Sequence, residues 1–411
     1  SRRLRLLGYV KSARITTSIL NFAYDASSAT QRALDALLNE TNILKGALVV
    51  LYPSYCRKTD DGYVTKVRGW VNSPGGMTKK NRLLIGFARQ LVKLNATNVP
   101  LKADETTAEL YENELKETED DDLTARPVRS ADSSSSTLTS TSLNLSTNSD
   151  LLLNQRIAAF IARSVTNLEL NIHIGSESPM HPDEVVHTTV VTDLNGHFST
   201  QITTIYKPSL THVHVASDET IFSMDEPLLV GTSGVSVISD IDDTIKLTGV
   251  TGEKRQLFTN VFATEVAAWT IPGVSDWYNA MHDRDVQFHY VSNSPWQLYP
   301  GLQEFFKASP FPLGSIHLKQ YSGNLINSFM EPLVERKRAS LKAILSDFSR
   351  RSFICVGDSG EYDFDAYCEL AKNYPGQVAA IYIRCVPGTF SDFDDKEVLR
   401  DLRRSIQNWK T

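Results

Sequence analysis

Cysteine is scarce: four in 411 residues, Cys56, Cys355, Cys368 and Cys385, with no CxxC pair among them. That spacing argues against a disulfide scaffold and a zinc site. Three of the four fall in apolar stretches of the last third, as reduced intracellular thiols would. There is no run of eighteen apolar residues, so no segment reads as a membrane-spanning helix. No signal peptide is apparent, and the first residue, Ser1, leads us to expect a trimmed start. An overall basic excess is missing too, since the net charge is −6. Residues 104–122 hold ten acids against one Lys, a local −9, which leaves about +3 for the rest. A mildly basic body with one acidic insert does not make a nucleic-acid-binding surface.

What is present is 41% hydrophobic and 22% charged, the composition of a soluble globular protein, in a chain long enough to predict two domains. Residues 1–24 carry Arg2, Arg3, Arg5, Lys11 and Arg14 with no acid, among leucines and isoleucines at imperfect helical spacing. Two readings stay open for this basic, amphipathic start within residues 1–44: contact with an anionic membrane face, or a helix docked on the body. A helix is predicted over 27–43. From residue 47 the texture becomes that of short strands, at 47–51, 63–71, 168–174, 185–192, 198–205 and 212–215, with helices at 83–94 and 151–165. Asp193-Leu194-Asn195-Gly196 reads as a hairpin turn. The expectation for 45–230 is a β-sandwich-like domain with helical additions. The insert at 104–149 has the composition of disorder: the acidic run comes first, then 130–149, where 13 of 20 residues are Ser or Thr. His212 and His214 share one strand face, which can bind metal. No third ligand lies nearby in sequence, so they read as surface or edge residues.

At residue 235 strands and helices begin to alternate, which predicts a doubly wound parallel sheet over 231–411. VSVISDIDDT (235–244) is an apolar strand ending in three carboxylates within four residues, where open α/β sheets place their ligands. Asp240 and Asp242 are two apart: one can attack while the other shuttles a proton, provided a cation keeps them from repelling. An acidic turn is the plain alternative. A second strand, 286–291, ends in Ser292-Asn293-Ser294, and a third, 353–356, ends in Gly357-Asp358 with Asp363 close behind. Arg336, Lys337 and Arg338 open the helix before that third strand, and 378–383 is a fourth strand. If the strand ends converge, the carboxylates call for a hard cation such as Mg²⁺. A hydroxyl, backbone N–H groups and a lysine beside it suit a phosphate's equatorial oxygens, so the set reads as phosphoryl transfer through an aspartyl-phosphate.

DIDDT (240–244) resembles the DxDx(T/V) signature of haloacid-dehalogenase-type (HAD-like) phosphatases, with Ser292, Lys337 and Asp358/Asp363 in the order of that superfamily's other motifs. More narrowly, SDIDDTIK (239–246), YVSNSPWQLYP (290–300) and VGDSGEYD (356–363) are similar to the fungal phosphatidate phosphatases associated with cortical actin patches. The resemblance implies Asp240 as nucleophile and Mg²⁺ ligand. It implies Asp242 as acid and base, with its backbone carbonyl on the metal, and Thr244 as a shaper of the loop. Ser292 and the backbone N–H of Asn293 would hold the phosphoryl group and Lys337 would neutralise it, with Lys342 the rival lysine. Asp358 would bind the metal, and Asp363 would stand behind the ligands or reach the metal through water. The substrate implied is phosphatidate in anionic membranes, cleaved to diacylglycerol and phosphate. The setting implied is the cytoplasmic membrane surface at actin patches, with endocytic actin-patch proteins as partners. Two further readings are a phosphatase of soluble or protein-bound monoesters, and an endocytic interaction module with an incidental phosphatase fold. Only 47 residues separate Thr244 from Ser292, too few for a large cap, so an open site is expected.

Overall fold

The computed structural model describes residues 44–76, 78–96, 148–176, 185–250, 252, 254–319, 334–360, 363–386 and 389. The basic start, the helix expected at 27–43 and the insert up to residue 147 lie outside the described residues.

The first part is built on β3 (Gly62–Ser73), a long strand in which apolar and polar residues alternate. Its neighbours on one side are β1 (Leu48–Leu51) and β2 (Tyr55–Thr59), and on the other β7 (His197–Thr204) and the short β4 (Arg163–Ser164). A second antiparallel sheet runs β6 (Val185–Val191), β5 (Glu169–Ser176), β8 (Pro208–Val215), β9 (Asp218–Asp225). The two sheets share one apolar layer, with Val67, Val71, Phe198 and Ile202 from the first meeting Leu170, Ile172, Ile174 and Val213 from the second. Hence both sheets show the period-two pattern that the sequence predicts.

Three expectations change. The Asp193–Gly196 turn forms, with the Asp193 carboxylate accepting from the N–H groups of Asn195 and His197 at 2.8 and 2.9 Å. It does not close a hairpin, because β6 pairs with β5 while β7 pairs with β3. Gly196 adopts φ +74°, and a Cβ there would meet the Val71 carbonyl, so the turn lets the chain cross between sheets. Second, His212 and His214 are not alone: the pairing of β5 with β6 and β8 brings His173 and His187 beside them. The helix predicted at 151–165 runs instead from Asn148 to Ile161, because Arg163 and Ser164 pair with β3.

From Gly234 the chain forms a five-stranded, all-parallel sheet in the order β13 (Gly314–Lys319), β12 (Gln287–Pro295), β11 (Gly234–Ser239), β14 (Arg351–Asp358), β15 (Val378–Arg384). The order turns back at β11, so the strand carrying the aspartates has a neighbour of opposite winding on each side. Helices α6 (Val334–Asp347) and α7 (Asp363–Asn373) cover one face through Leu341, Ile344, Leu345 and Tyr367. The other face is covered by α4 (Val274–His282), α5 (Tyr299–Ala308) and the 3₁₀ turn Val266–Trp269, through Tyr278, Phe305 and Trp269.

The two parts are tightly joined. Helices α1 (Lys79–Ala96) and α2 (Asn148–Ile161) pack Leu84, Ile85, Leu153 and Ile157 against Leu257, Phe258, Val261 and Phe262 of α3 (Lys254–Phe262). Strand β10 (Leu228–Val230) lies parallel to β2. The free edge of β13 is capped by the first part: Ile316 N donates to Pro53 O at 3.0 Å and Arg68 Nη2 to Ile316 O at 2.9 Å.

Candidate active site

Strand β11 is fully buried at its carboxyl end, and the chain leaves it through three aspartates with three different surroundings. Asp240 is held in line by its own N–H, which donates to Val356 O on β14 at 2.8 Å. Its carboxylate accepts from Lys337 Nζ at 2.7 Å and from Thr244 Oγ1 at 3.0 Å. Asp242 is also buried, but its carboxylate faces a ring of hydroxyls: Ser292 at 2.8 Å, Ser294 at 2.7 Å and Thr248 at 2.8 Å, with Lys246 Nζ at 3.5 Å. Burial alone would raise its pKa. Lys246 and the hydroxyls of Ser294, Thr248 and Ser292 outweigh that and hold it below the usual range, so Asp242 stands ionised. Asp243 has a positive φ of 52°, a conformation Asp tolerates. Its carboxylate accepts from the N–H groups of Thr248, Gly249 and Val250 at 2.9, 2.8 and 2.6 Å. It clamps the loop that carries Thr248 to Asp242.

Two other strands complete the site. At the end of β14, Asp358 and the Asp363 that opens α7 approach Asp240. Each of the three, all buried, offers a carboxylate oxygen within 4.8 Å of the other two. Gly357 permits this, since a Cβ at that position would collide with the Asp363 carboxylate. Lys337, on α6, bridges Asp240 and Asp363 from a position only 5% exposed. Like charges this close and this dry are tolerated only with cations among them or with a shared proton. The donor set, three hard carboxylate oxygens, fits a magnesium-like cation.

The structure thus brings Asp240, Thr244, Lys337, Asp358 and Asp363 together, and Asp242 with Ser292 beside them. Asn293 lies half-buried at the same strand end. Lys342 faces away and pairs with Glu369 at 3.4 Å, as does Arg338 at 3.1 Å. The Asp242 carboxylate belongs to the hydroxyl ring rather than to the three-carboxylate cluster, so only its main-chain carbonyl is left for the metal role expected of it. Sequence reading missed Lys246, Thr248, Ser294 and Arg156. Lys246 and Ser294 lay inside strings already singled out, at spacings with no period to mark them. Arg156 had no local signal at all: it comes from α2, 84 residues before Asp240. Its guanidinium lies over Trp269 at 4.3 Å and donates to Val261 O and Thr264 O at 3.0 and 2.7 Å. With Asp242, Lys246, Trp269, Ser294 and Leu298 it lines a cavity that adjoins the carboxylates.

Two buried carboxylates two residues apart, hydroxyl donors and a bridging lysine at the carboxyl edge of a parallel sheet are the groups an α/β enzyme of the phosphatase class requires. The sequence model of the family described as "Phosphatidate phosphatase APP1, catalytic domain" matches residues 235–385, the stretch that supplies nearly all of this site. Phosphatidate phosphatase APP1 of Saccharomyces cerevisiae is 33% identical over 413 residues, covering 93% of this chain and 68% of that protein. An uncharacterized protein of Schizosaccharomyces pombe is 35% identical over 223 residues, 54% of this chain and 35% of its own length. The chain belongs to the APP1 phosphatidate phosphatase family.

Proposed function

We propose that the chain hydrolyses phosphatidate to diacylglycerol and phosphate, with Mg²⁺ as cofactor, at a membrane surface. The observation that supports this most is the pairing of a lysine-bridged Asp240 with an Asp242 whose carboxylate is ringed by hydroxyls. Asp240 attacks phosphorus, forming an aspartyl-phosphate as the bond to the glycerol oxygen breaks. Lys337 offsets the charge of nucleophile and phosphate. When the Ser292 and Ser294 hydroxyls turn to phosphoryl oxygens, Asp242 loses bonds that keep it ionised and gains basicity. It can then take up a proton from solvent and deliver it to the departing alkoxide, and the carboxylate so restored later takes a proton from the water that cleaves the acyl phosphate. Asp240, Asp358 and Asp363, with the Asp242 carbonyl, would hold Mg²⁺, which supplies positive charge beside the transferring phosphoryl group.

The fold reading that accompanies this is a HAD-like catalytic region over 231–411 behind a β-sandwich-like region over 45–230. No helix among the described residues is long and apolar enough to cross a membrane, so a peripheral approach to the lipid fits the reading. An actin-patch setting and endocytic partners belong to the same proposal and rest on family likeness alone.

The test is phosphate release by the purified chain from vesicles containing phosphatidate and, in parallel, from a soluble monoester. Release from vesicles that stops in EDTA, and is absent in Asp240→Asn, is the expected result. Release from the soluble ester alone would overturn the lipid assignment, and undiminished turnover by Asp240→Asn would overturn the mechanism.

A further inference from the structure

The four-stranded sheet β6-β5-β8-β9 presents one face to the apolar layer and the opposite face to its own set of histidines. In the strand register, His173 on β5 stands opposite His187 on β6 and His212 on β8. His214, two residues on from His212, joins the same face. The ring centroids of His173 and His214 are 5.0 Å apart, those of His212 and His214 5.2 Å, and those of His173 and His212 5.6 Å. His187 meets His173 edge-on at 4.3 Å. A ring nitrogen from each of His173, His212 and His214 falls within 4.8 Å of the other two.

We propose that His173, His212 and His214 form a transition-metal site, of the Zn²⁺ class, that clips β5 to β8. This goes beyond the phosphatase reading and does not depend on it. Imidazole nitrogens are ligands for zinc, copper and nickel rather than for magnesium, so the site and the carboxylate cluster would take different ions. Three nitrogens at 2.0–2.1 Å from one tetrahedral ion are about 3.3 Å apart, so the observed spacing closes with small side-chain rotations. Three protein ligands leave a fourth position for water or for His187.

A second observation points the same way. His214 is 5% exposed, and its Nδ1 has no hydrogen-bond partner among the described residues, a costly state for a buried polar atom. Its Nε2 is 3.2 Å from the side-chain amide of Asn171 on the neighbouring strand. With the amide oxygen turned to this contact, Nε2–H donates to Asn171 and the Nδ1 lone pair is left for a metal. Second-sphere partners of ligating histidines commonly act in this way. Burial, then His187, His214 and His212, push His173 down to about 4, and burial, then His214, lowers His212, which favours the neutral, ligating form of these two rings.

The test uses the full chain without a histidine tag, stripped with EDTA and returned to millimolar Mg²⁺ so that the carboxylate site is not the readout. Zn²⁺ is then titrated calorimetrically, with Co²⁺ absorption as a probe of tetrahedral nitrogen ligation. The expected result is one Zn²⁺ per chain for the wild type and for Asp240→Asn. Binding should be at least tenfold weaker in His173→Gln and in His212→Gln, whose metal-free circular dichroism matches wild type. Zn²⁺ should raise the melting temperature of the wild type and not of the histidine variants. No zinc uptake by the wild type, or equal uptake by the two variants, would overturn the proposal. If either variant misfolds, Asn171→Ala, which removes only the supporting contact, should still weaken binding, and unchanged affinity there counts against the site.

Discussion

Lys337 is bonded to Asp240 and Asp363 in a dry setting, whereas Lys342, five residues further along α6, is 45% exposed and turned to Glu369. Exposed ion pairs contribute about 0.2–1 kcal/mol. Removing a preorganised cation from a developing phosphoryl charge costs about 10²–10³ in turnover. Lys337→Gln should therefore lose at least about a hundredfold in kcat, while Lys342→Gln stays within about twofold; the reverse order would move the catalytic lysine along the helix. A second residue-scale expectation concerns acid stability. His289 on β12 is fully buried and shares the Ser315 hydroxyl with His317, at 2.7 and 3.0 Å. Burial, followed by the charges of Arg351 and Lys66, pushes His289 down to about 3. Its folded pKa thus lies below the unfolded value of about 6.5. The stability it permits is whole above pH 6.5 and falls as pH drops toward 3, because only the unfolded chain takes the proton. The slope for one such group is ~1.4 kcal/mol per pH unit. Urea midpoints should fall between pH 6.5 and 4, less steeply in His289→Asn; parallel slopes in the two proteins would exclude His289 as the cause.

At the scale of elements, the parallel sheet was legible because buried strands are written as continuous apolar runs ending in polar groups. VSVIS, VQFHYV, FICV and VAAIYI each became a strand, and Asp240, Ser292 and Asp358 could be placed at their ends without knowing their neighbours. Strands β2, β9 and β10 and helices α3 and α4 were not legible, since their apolar residues follow no clear period. The setting of each aspartate was only half readable: nothing in DIDD distinguishes a loop clamp, Asp243, from a carboxylate ringed by hydroxyls, Asp242, until Thr248 and Ser294 fold against them. Likewise His173 and His187 could not be joined to His212 and His214 without the strand pairing. One element contact merits its own test. Arg351, buried at the start of β14, donates Nε to Ser236 Oγ at 2.8 Å and Nη1 to Gly231 O at 2.9 Å, and also bonds Ser233 O and Val235 O. It thereby fixes the entry to β11, upstream of Asp240. Leaving buried acceptors unmet costs about 1–3 kcal/mol each, so Arg351→Met should destabilise by at least about 3 kcal/mol in urea unfolding. A change under about 0.5 kcal/mol, the range of an ordinary surface substitution, would show that the staple is redundant.

At the scale of the whole molecule, the described residues of the two parts are joined by packing, hydrogen bonds and a shared cavity. The first part supplies Arg156 to the cavity beside Asp242 and caps the edge of β13 through Pro53 and Arg68. It also braces the end of α6, where Asp347 accepts from Tyr55 Oη at 2.5 Å and Lys66 Nζ at 3.0 Å. Its largest contribution is to α3, whose Leu257, Phe258, Val261 and Phe262 are buried among side chains of α1 and α2. Burying side chains of this kind contributes about 1.5–3 kcal/mol each. Four of them amount to roughly 6–12 kcal/mol, comparable with the whole stability of an ordinary domain, about 5–15 kcal/mol. The fragment 231–411 contains every residue of the carboxylate cluster and the hydroxyl ring, yet expressed alone it would expose α3 and the edge of β13. It should bind a hydrophobic dye, unfold without a cooperative transition and hydrolyse even a soluble monoester at under about 1% of the full chain's rate, the rate equivalent of losing ~2.7 kcal/mol of transition-state stabilisation. Co-expression with 1–230 should restore folding and turnover together. A monodisperse fragment that turns over the soluble monoester at the full chain's rate would show instead that the parallel sheet is self-sufficient, with the first part left to serve the approach to lipid.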